Sequence, residues 1–367
     1  MSNWTCAYLL SGIAGAVLAL LYTPLFRRIA LKTDFMDVPG NNHKGHRKAT
    51  PLLGGGAIYL AWISAIGLCL LVAGLGRAGL VPYLPELDAL HLDAAYRRLS
   101  VLVIGGTLAL LLGLIDDKIA LSAGVKFSGQ LVIALLTVLI GGIRFQLAPE
   151  LPQLSCGFTV FWIMLMMNSI NFFDNMDGLA IGTVAIAMAL FAVIAGLNNQ
   201  YLIAGFAAMN CGVACGFWFY NASPASIFMG DSGSHFVGYL AAVVAAQVTF
   251  FDKSYSLSRF PVLMPLFILA LPLFDTAMVI LIRTVNKKPF WIGDHNHISH
   301  RFVRMGLSRP QAVLLVHLLA LTIGLGILPV FWGKFLTAVL LVLQSLLILL
   351  VITLLQLWLS KKPDARE

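Results

Sequence analysis

Long apolar stretches recur from one end of the chain to the other, and they constrain the fold more than any other feature. They lie near residues 7–26, 52–74, 99–115, 125–142, 156–173, 178–197, 201–220, 235–251, 261–282, 310–331 and 335–358. A helix needs about 20 apolar residues to cross the roughly 30 Å hydrocarbon core of a bilayer. The sequence therefore predicts about eleven transmembrane helices, with ten as the alternative.

Composition supports a chain that lies almost entirely in the membrane. Hydrophobic residues make up 59% of the 367 residues and charged residues only 11%, whereas soluble domains carry roughly 25% charged residues. Backbone polar groups in lipid must be satisfied within helices or a closed barrel, and the alternating strands of a membrane barrel are absent from this sequence. We predict an all-α polytopic fold in which residues 1–367 form a single membrane-embedded domain.

Lysine and arginine predict the orientation of this domain. One set of alternate loops carries most of these residues, among them Arg27, Lys48, Lys126 and Arg301. Loops rich in lysine and arginine favour the cytoplasmic side, so we expect an external amino terminus and a cytoplasmic carboxyl terminus. The net charge of +8 suits this topology and also suits anionic headgroups or phosphates. No nucleic-acid motif accompanies it, so we expect no nucleic-acid partner.

Five unusual polar segments fall on the predicted cytoplasmic side. They lie near residues 27–51, 116–124, 172–178, 221–234 and 283–309, and contain NNHKGHRKATPLLGGG, GLIDDK, NSINFFDNMDGL, NASPASIFMGDSGS and WIGDHNHISHRF. The loops of the other side carry scattered acids without a repeated pattern. Such a one-sided concentration predicts a site that is open to the cytoplasm.

Aspartates dominate these segments. They are Asp116, Asp117, Asp174, Asp177 and Asp231, each within a few residues of a membrane boundary. Two unit charges about 4 Å apart interact by about 4 kcal/mol at an effective dielectric constant of about 20, so converging carboxylates need cations. Oxygen ligands without matching cysteines favour Mg²⁺, with Mn²⁺ as the alternative. Because Mg²⁺ takes many of its ligands from water and phosphate, phosphate chemistry is the first function class that we infer.

Two of these signals have simpler explanations when each is taken alone. Asp231 precedes an apolar run and resembles an ordinary helix N-cap. The glycine triplet 54–56 either lets an anion approach the backbone or serves close helix packing. The repetition of carboxylate-bearing turns on one face is what favours a functional site.

The histidine tract leaves alternatives open as well. His295, His297 and His300 resemble metal ligands, but no cysteine or second histidine pair matches them. We therefore favour contact of an imidazole with phosphate or a leaving group over a zinc site. Asp275 lies deeper in its apolar stretch than the other acids, and the sequence leaves open whether it pairs with a basic group of the site or has a structural role.

Taken together, these motifs resemble the polyprenyl-phosphate N-acetylhexosamine-1-phosphate transferase family. The likeness is greatest to the bacterial undecaprenyl-phosphate GlcNAc-1-phosphate transferases that initiate surface polysaccharides, and it covers nearly the whole chain from Asp37 onward. Five motifs occur in family order: Lys44 and His46 with TPLLGG; Asp116 and Asp117; Asn168, Asn171, Asp174, Asp177 and Gly178; Asn221 with Phe228, Met229, Gly230 and Asp231; and His297, Ile298, Ser299 and His300.

The resemblance implies transfer of a sugar 1-phosphate, with GlcNAc 1-phosphate expected, from a UDP-sugar to undecaprenyl phosphate, with release of UMP, at the bacterial inner membrane. It implies Mg²⁺ held by Asp231 and Asp117, and a uracil ring stacked on Phe228. The catalytic residues that it implies are Asp116, Asp117, Asp231 and His297. The substrate-binding residues are His46, Lys48, Lys126, Asn171, Asp174, Asp177, Asn221, Phe228 and His300.

The sequence departs from the family pattern at two of these motifs. Asn175 follows Asp174 where the family often has glycine, and Ser299 occupies the third position of a motif that commonly reads HIHH. For the reaction we favour direct in-line attack by the lipid phosphate, with a covalent intermediate on Asp117 as the alternative.

Two other functions are alternatives to this interpretation of the motifs. A phospho-MurNAc-pentapeptide transferase of the same family is the second choice, because the histidine motif is closer to the GlcNAc type. A secondary transporter would place its carboxylates near the midplane between repeated halves, whereas these acids lie at the membrane edge and no internal repeat is visible. The sequence leaves open whether the chain forms a homodimer.

Overall fold

The computed structural model describes residues 3–38, 49–79, 92–146, 151–248, 260–287, 289 and 296–359. The long helices before the middle of the chain are α1 (Asn3–Thr33), α2 (Gly54–Arg77), α3 (Leu92–Ile119), α4 (Ala123–Leu135, continued by a wider turn over Leu136–Ile140), α5 (Pro152–Phe173) and α6 (Leu179–Leu197). They are followed by α7 (Tyr201–Asn221), α8 (Gly230–Gln247), α9 (Met264–Ile268), α10 (Ala270–Val285), α11 (Ile298–Arg304), α12 (Arg309–Ile327) and α13 (Phe335–Leu359). A short antiparallel ribbon pairs β1 (Met36–Asp37) with β2 (Thr50–Pro51).

The all-α polytopic prediction is confirmed, and the number of candidate spans that length and composition identify reaches the predicted alternative of ten at most. Within the described ranges, nine helices are long and apolar enough to cross a membrane, and α9 with α10, bent by 69° at their junction, would make ten. The predicted stretch 235–251 overlaps α8, which is not among the helices that are long and apolar enough to cross a membrane. It begins earlier, at Gly230, and its first turns carry Asp231, Ser232 and Ser234. This polar start lowers the hydropathy of the helix and brings it into the functional site.

The core of the bundle is built around α8, in which every residue from Ser232 to Ala246 is buried, and α6. In the most apolar window of α6, 72% of the residues are buried, against 17% in α1 and α13. Helix α6 packs against α7, α8 and α12. Small side chains permit this closeness, since van der Waals packing rather than the hydrophobic effect drives helix association in lipid. At the contact of α1 with α7, for example, a Cβ on Gly212 would collide with the backbone of Gly12.

The glycine triplet ties α2 to the segment that precedes α8. The amide groups of Gly54 and Gly55 donate to the carbonyls of Phe228 and Met229, both at 3.0 Å, and the Phe228 amide donates to Pro51 at 2.8 Å. A Cβ on Gly55 would meet the backbone of Gly233. The triplet is therefore a packing feature, and the two amide groups that an anion would need already have partners.

Candidate active site

Asp117 caps helix α8 from a different helix. Its carboxylate accepts the backbone N–H of Asp231 at 2.7 Å and that of Ser232 at 3.0 Å. The first N–H groups of a helix have no partner within that helix, so a carboxylate at this end is stabilising. Gly230 has φ +70°, and a Cβ there would lie 2.7 Å from Asp117 Oδ2. The start of α8 is thus capped by Asp117, whereas Asp231 points its carboxylate elsewhere.

Lys126 lies between two of the predicted carboxylates. Its Nζ forms an ion pair with Asp116 Oδ2 and lies 3.5 Å from Asp231 Oδ2. The other oxygen of Asp116 accepts the Leu121 amide at 2.8 Å. The exposed fractions of the side chains are 2% for Asp116, 29% for Lys126 and 36% for Asp231. Asp116 is therefore covered, while Lys126 and Asp231 remain accessible to a ligand.

Asn171 fixes the second oxygen of Asp231. Its Nδ2 donates to Asp231 Oδ1 at 2.8 Å and to Ser234 Oγ at 2.9 Å. Lys126 lies near Oδ2, and the carboxyl group of Asp116 also contacts the Asp231 side chain. An ionised carboxylate offers about four lone-pair sites, so Asp231 keeps the capacity to bind a cation. The structure thus brings Asp116, Asp117 and Asp231 together, as the sequence predicts.

Asp174 ends α5 beside this cluster. Burial first, and then the carboxylates of Asp231, Asp177 and Asp117, raise the pKa of Asp174 to about 8. Both causes disfavour the charged form. A cation bound at the cluster would remove this penalty, because its charge favours ionised carboxylates.

The turn that follows, residues 174–178, is joined to the turn between α7 and α8. Asp177 Oδ2 accepts the Ala225 amide at 3.0 Å. Asn221 is buried, and its side chain accepts from the Gly178 amide at 3.1 Å and donates to the Ile227 carbonyl at 2.9 Å. Asn221 therefore holds the two turns together, and its predicted contact with substrate stays a prediction. Phe228 is half-buried at the edge of the same turn.

Asp275 holds the histidine segment, which settles the question that the sequence leaves open. Its Oδ2 lies 2.6 Å from His297 Nδ1, and its Oδ1 accepts the Ile298 amide at 2.6 Å. Asp275 is fully buried in α10, and His297 is buried at the start of α11. The ring of His300 lies 6.2 Å from that of His297, measured between centroids. Asp275 thus fixes the orientation of His297.

Arg301 is a candidate that the sequence analysis did not single out. It is 92% buried, since its exposed fraction is 8%, yet Nε and Nη2 have no hydrogen-bond partner among the described residues. A buried guanidinium without such partners is costly, and an anionic ligand would supply them. The available signal was its position, because Arg301 follows His300 directly in the histidine motif. A second arginine, Arg283 of α10, is also buried, with its guanidinium carbon 5.7 Å from the centre of the Phe172 ring.

The donor set near Asp231 fits a hard cation that takes few protein ligands. In the described part of the chain, no group of three or more His, Cys, Asp or Glu side chains is arranged to hold a metal. Mg²⁺ is usually held by one or two carboxylates, with water and phosphate completing its shell. Asp231, with Asp117 beside it, matches this requirement. His46 and Lys48 lie outside the described residues, so their predicted roles stay predictions.

Comparisons with known proteins agree with the motifs. The family model for glycosyl transferase family 4 matches residues 99–249. A probable undecaprenyl-phosphate N-acetylglucosaminyl 1-phosphate transferase of Bacillus subtilis is 34% identical over 314 residues, covering 84% of this chain and 80% of the relative. A decaprenyl-phosphate N-acetylglucosaminephosphotransferase of Mycolicibacterium smegmatis is 28% identical, covering 86% and 80%. A phospho-N-acetylmuramoyl-pentapeptide-transferase of Shouchella clausii is 28% identical, covering 67% and 75%.

Proposed function

The chain belongs to glycosyl transferase family 4, and from this we propose that it transfers GlcNAc 1-phosphate from UDP-GlcNAc to undecaprenyl phosphate. The products are undecaprenyl-diphospho-GlcNAc and UMP. We place the enzyme in the bacterial inner membrane with its site on the cytoplasmic side, where the product initiates a surface polysaccharide. The similarity to a relative named for undecaprenyl phosphate and N-acetylglucosamine supports this choice of substrates.

The observation that carries the proposal is the accessible pair of Asp231 and Lys126 at the ends of membrane helices. A nucleotide sugar is water-soluble and anionic, whereas the acceptor is a lipid with a phosphate head. Both meet only at a membrane boundary. Lys126 lies beside Asp231, so a cation at Asp231 and the ammonium group of Lys126 would face the same space. Two positive groups in one accessible cleft suit two phosphorylated substrates.

The reaction in this proposal is a direct displacement. An oxygen of the lipid phosphate attacks the β-phosphorus of UDP-GlcNAc, and the bond from this phosphorus to the bridging oxygen breaks, so UMP leaves with the electron pair. Mg²⁺, with Mn²⁺ as the alternative, would be held by Asp231 with Asp117 and would neutralise charge on the pyrophosphate. Lys126 binds the acceptor phosphate, and the buried Asp116 holds Lys126 in place.

No strong general base is needed for this step. The second pKa of a phosphate monoester is about 6, so the acceptor is already largely ionised at neutral pH. The alternative, a covalent intermediate on Asp117, would need an oxygen of Asp117 to reach phosphorus. Both oxygens of Asp117 accept backbone N–H groups of α8. These bonds lower the nucleophilicity of the carboxylate, which supports direct attack, while each oxygen keeps a lone pair for a cation. Labelled UMP exchanging into UDP-GlcNAc without acceptor would contradict this choice.

The donor site in this proposal lies between the turn 174–178 and helix α11. Asp275 holds His297 through Nδ1, so Nε2 is the ring nitrogen that meets the donor pyrophosphate. Arg301 supplies a guanidinium with unpaired nitrogens to the same anion. Phe228 stacks on the uracil ring, and Asp174, Asp177 and His300 line the nucleotide. We retain these assignments as part of the proposal.

The test is a reconstituted assay. Purified protein in lipid nanodiscs receives undecaprenyl phosphate and one of several donors: UDP-GlcNAc, UDP-GalNAc or UDP-MurNAc-pentapeptide. UMP release is followed with Mg²⁺ and with EDTA. We expect release from UDP-GlcNAc that EDTA abolishes. Turnover of UDP-MurNAc-pentapeptide alone would assign the chain to the second family activity, and no turnover of any donor would refute the proposal.

A further inference from the structure

Helix α11 and the turn 174–178 are joined by a buried hydrogen bond between two side chains that no part of the reaction uses. Ser299 Oγ donates to Asn175 Oδ1 at 2.6 Å. Ser299 is fully buried and Asn175 is half-buried. Both are positions at which the sequence departs from the pattern of the family that it resembles, and they lie in contact. A glycine at 175 would offer Ser299 no side-chain acceptor.

Asn175 extends this link to helix α5. Its Nδ2 donates to the Phe172 carbonyl at 3.0 Å, one of the last carbonyls of α5, which have no partner within the helix. The amide of Asn175 thus accepts from α11 with its oxygen and donates to α5 with its nitrogen. Because the oxygen and the nitrogen of the amide each have a partner, the orientation of the Asn175 side chain is determined. The position of Oδ1, to which Ser299 donates, is therefore fixed as well.

The link lies close to the groups that flank the proposed donor site. Asn175 directly follows Asp174 and precedes Asp177 by two positions, while Ser299 is two positions from His297. Helix α11 has only seven residues, and its first turn is closed by the Arg301 amide, which donates to the His297 carbonyl at 3.0 Å. A short rigid helix moves as a unit, so a bond at Ser299 also constrains His297.

Helix α11 is anchored on other sides as well. Asp275 holds its first residues from α10, and Gln356 Nε2 of α13 donates to the Ile298 carbonyl at 3.3 Å. Neither contact reaches the turn 174–178. The Ser299–Asn175 bond therefore fixes α11 relative to the turn 174–178, which the contacts with α10 and α13 do not do.

We propose that Ser299 and Asn175 are positioning residues whose hydrogen bond sets the separation of His297 from Asp174 and Asp177, and so determines how tightly the donor binds and reacts. This inference rests on the proposed function, which places the nucleotide sugar between these groups. The acceptor contact, Lys126 with Asp116, lies on α3 and α4 and involves neither residue. Loss of the bond therefore acts on the donor and spares the acceptor.

The experiment measures steady-state kinetics for both substrates in nanodiscs. For Ser299→Ala we expect kcat/KM for UDP-GlcNAc to fall about 5- to 30-fold, since a buried acceptor loses its donor, with KM for undecaprenyl phosphate within about twofold. Asn175→Ala should lower kcat/KM for UDP-GlcNAc at least as much, because it also removes the bond to the Phe172 carbonyl. The double variant should be no worse than Asn175→Ala, because both substitutions remove the Ser299–Asn175 bond. The control is Ser345→Ala, a buried serine of α13 whose hydroxyl bonds only to the Leu341 carbonyl of its own helix in the described contacts.

Three outcomes would overturn the inference. They are additive losses in the double variant, equal losses for donor and acceptor, and a Ser299→Ala enzyme that behaves like the Ser345→Ala control. Thermal unfolding shows which variants are folded, and if Ser299→Ala does not fold, Asn175→Ala tests the same bond from its half-buried partner. Failure of the proposed function is distinguishable, since the wild-type protein would then release no UMP from UDP-GlcNAc.

Discussion

Replacing Asp275 by asparagine tests how the histidine segment works. Asp275 is fully buried and accepts two hydrogen bonds of 2.6 Å, one involving His297 Nδ1 and one from the Ile298 amide. Asparagine has the same shape, and its oxygen can still accept from Ile298. Its amide nitrogen then faces His297 Nδ1 as a donor. The imidazole then accepts at Nδ1 with its lone pair, so it can no longer be the doubly protonated ring that donates from Nδ1 to a carboxylate and from Nε2 to the pyrophosphate.

The size of the effect follows from the charge-assisted hydrogen bond between the carboxylate and the ring, which a neutral hydrogen bond replaces. A hydrogen bond to a charged group contributes about 1.5–3 kcal/mol, and each 1.36 kcal/mol is tenfold in rate. We therefore expect kcat to fall about 10- to 150-fold in Asp275→Asn. Folding should persist, because a neutral amide costs less to bury than a carboxylate.

The assay is UMP release with saturating UDP-GlcNAc and undecaprenyl phosphate, with thermal unfolding measured in parallel. The matched control is Asp34→Asn, which removes a carboxylate at the same end of the bundle. Asp34 has φ +54°, a conformation that asparagine also adopts. A folded Asp275→Asn enzyme with kcat within threefold of wild type would refute a role for Asp275 in orienting His297.

Three further predictions concern the carboxylate cluster. Asp231→Asn should lower kcat by about 100-fold or more, because the substitution removes the accessible metal ligand, whereas Asp34→Asn should not lower it. Comparable UMP release by both variants would exclude Asp231 as that ligand. In EDTA, the wild-type unfolding temperature should decrease as pH rises from 6 to 8 and then level off. In this range folded Asp174, with its pKa of about 8, retains a proton that the unfolded side chain, with a pKa of 3.8, has released. Asp174→Asn should flatten this profile, and an unchanged slope would contradict the assignment. Gly230→Ala should destabilise the protein by about 1–3 kcal/mol in chemical unfolding, because φ is +70° and the methyl group meets Asp117, whereas Gly124→Ala, with open space around its Cβ, should not.

Much of the fold, and the proximity of Asp116, Asp117 and Asp231, can be predicted from the sequence for one physical reason. Apolar stretches of membrane length must be helices, and alternate loops must share a side, so polar segments in those loops converge. The individual contacts are harder to predict because they join distant positions. Asp117 lies 114 positions before the amide that it caps, and Ser299 lies 124 positions after Asn175. Arg301 was visible only as a loop charge, because its burial depends on how α11 packs.

The adjacent acids Asp116 and Asp117 show how one helix end can organise the site. Successive residues on a helix point about 100° apart, so the two carboxylates take different principal partners. Asp116 faces α4 and holds Lys126, whereas Asp117 faces α8 and holds the backbone of Asp231. The pair therefore sets the position of the proposed phosphate-binding ammonium group relative to the proposed metal-binding carboxylate. Moving either acid by one position would rotate its carboxylate away from its partner. The end of α3 therefore needs two adjacent acids, although one acid would suffice to bind a metal.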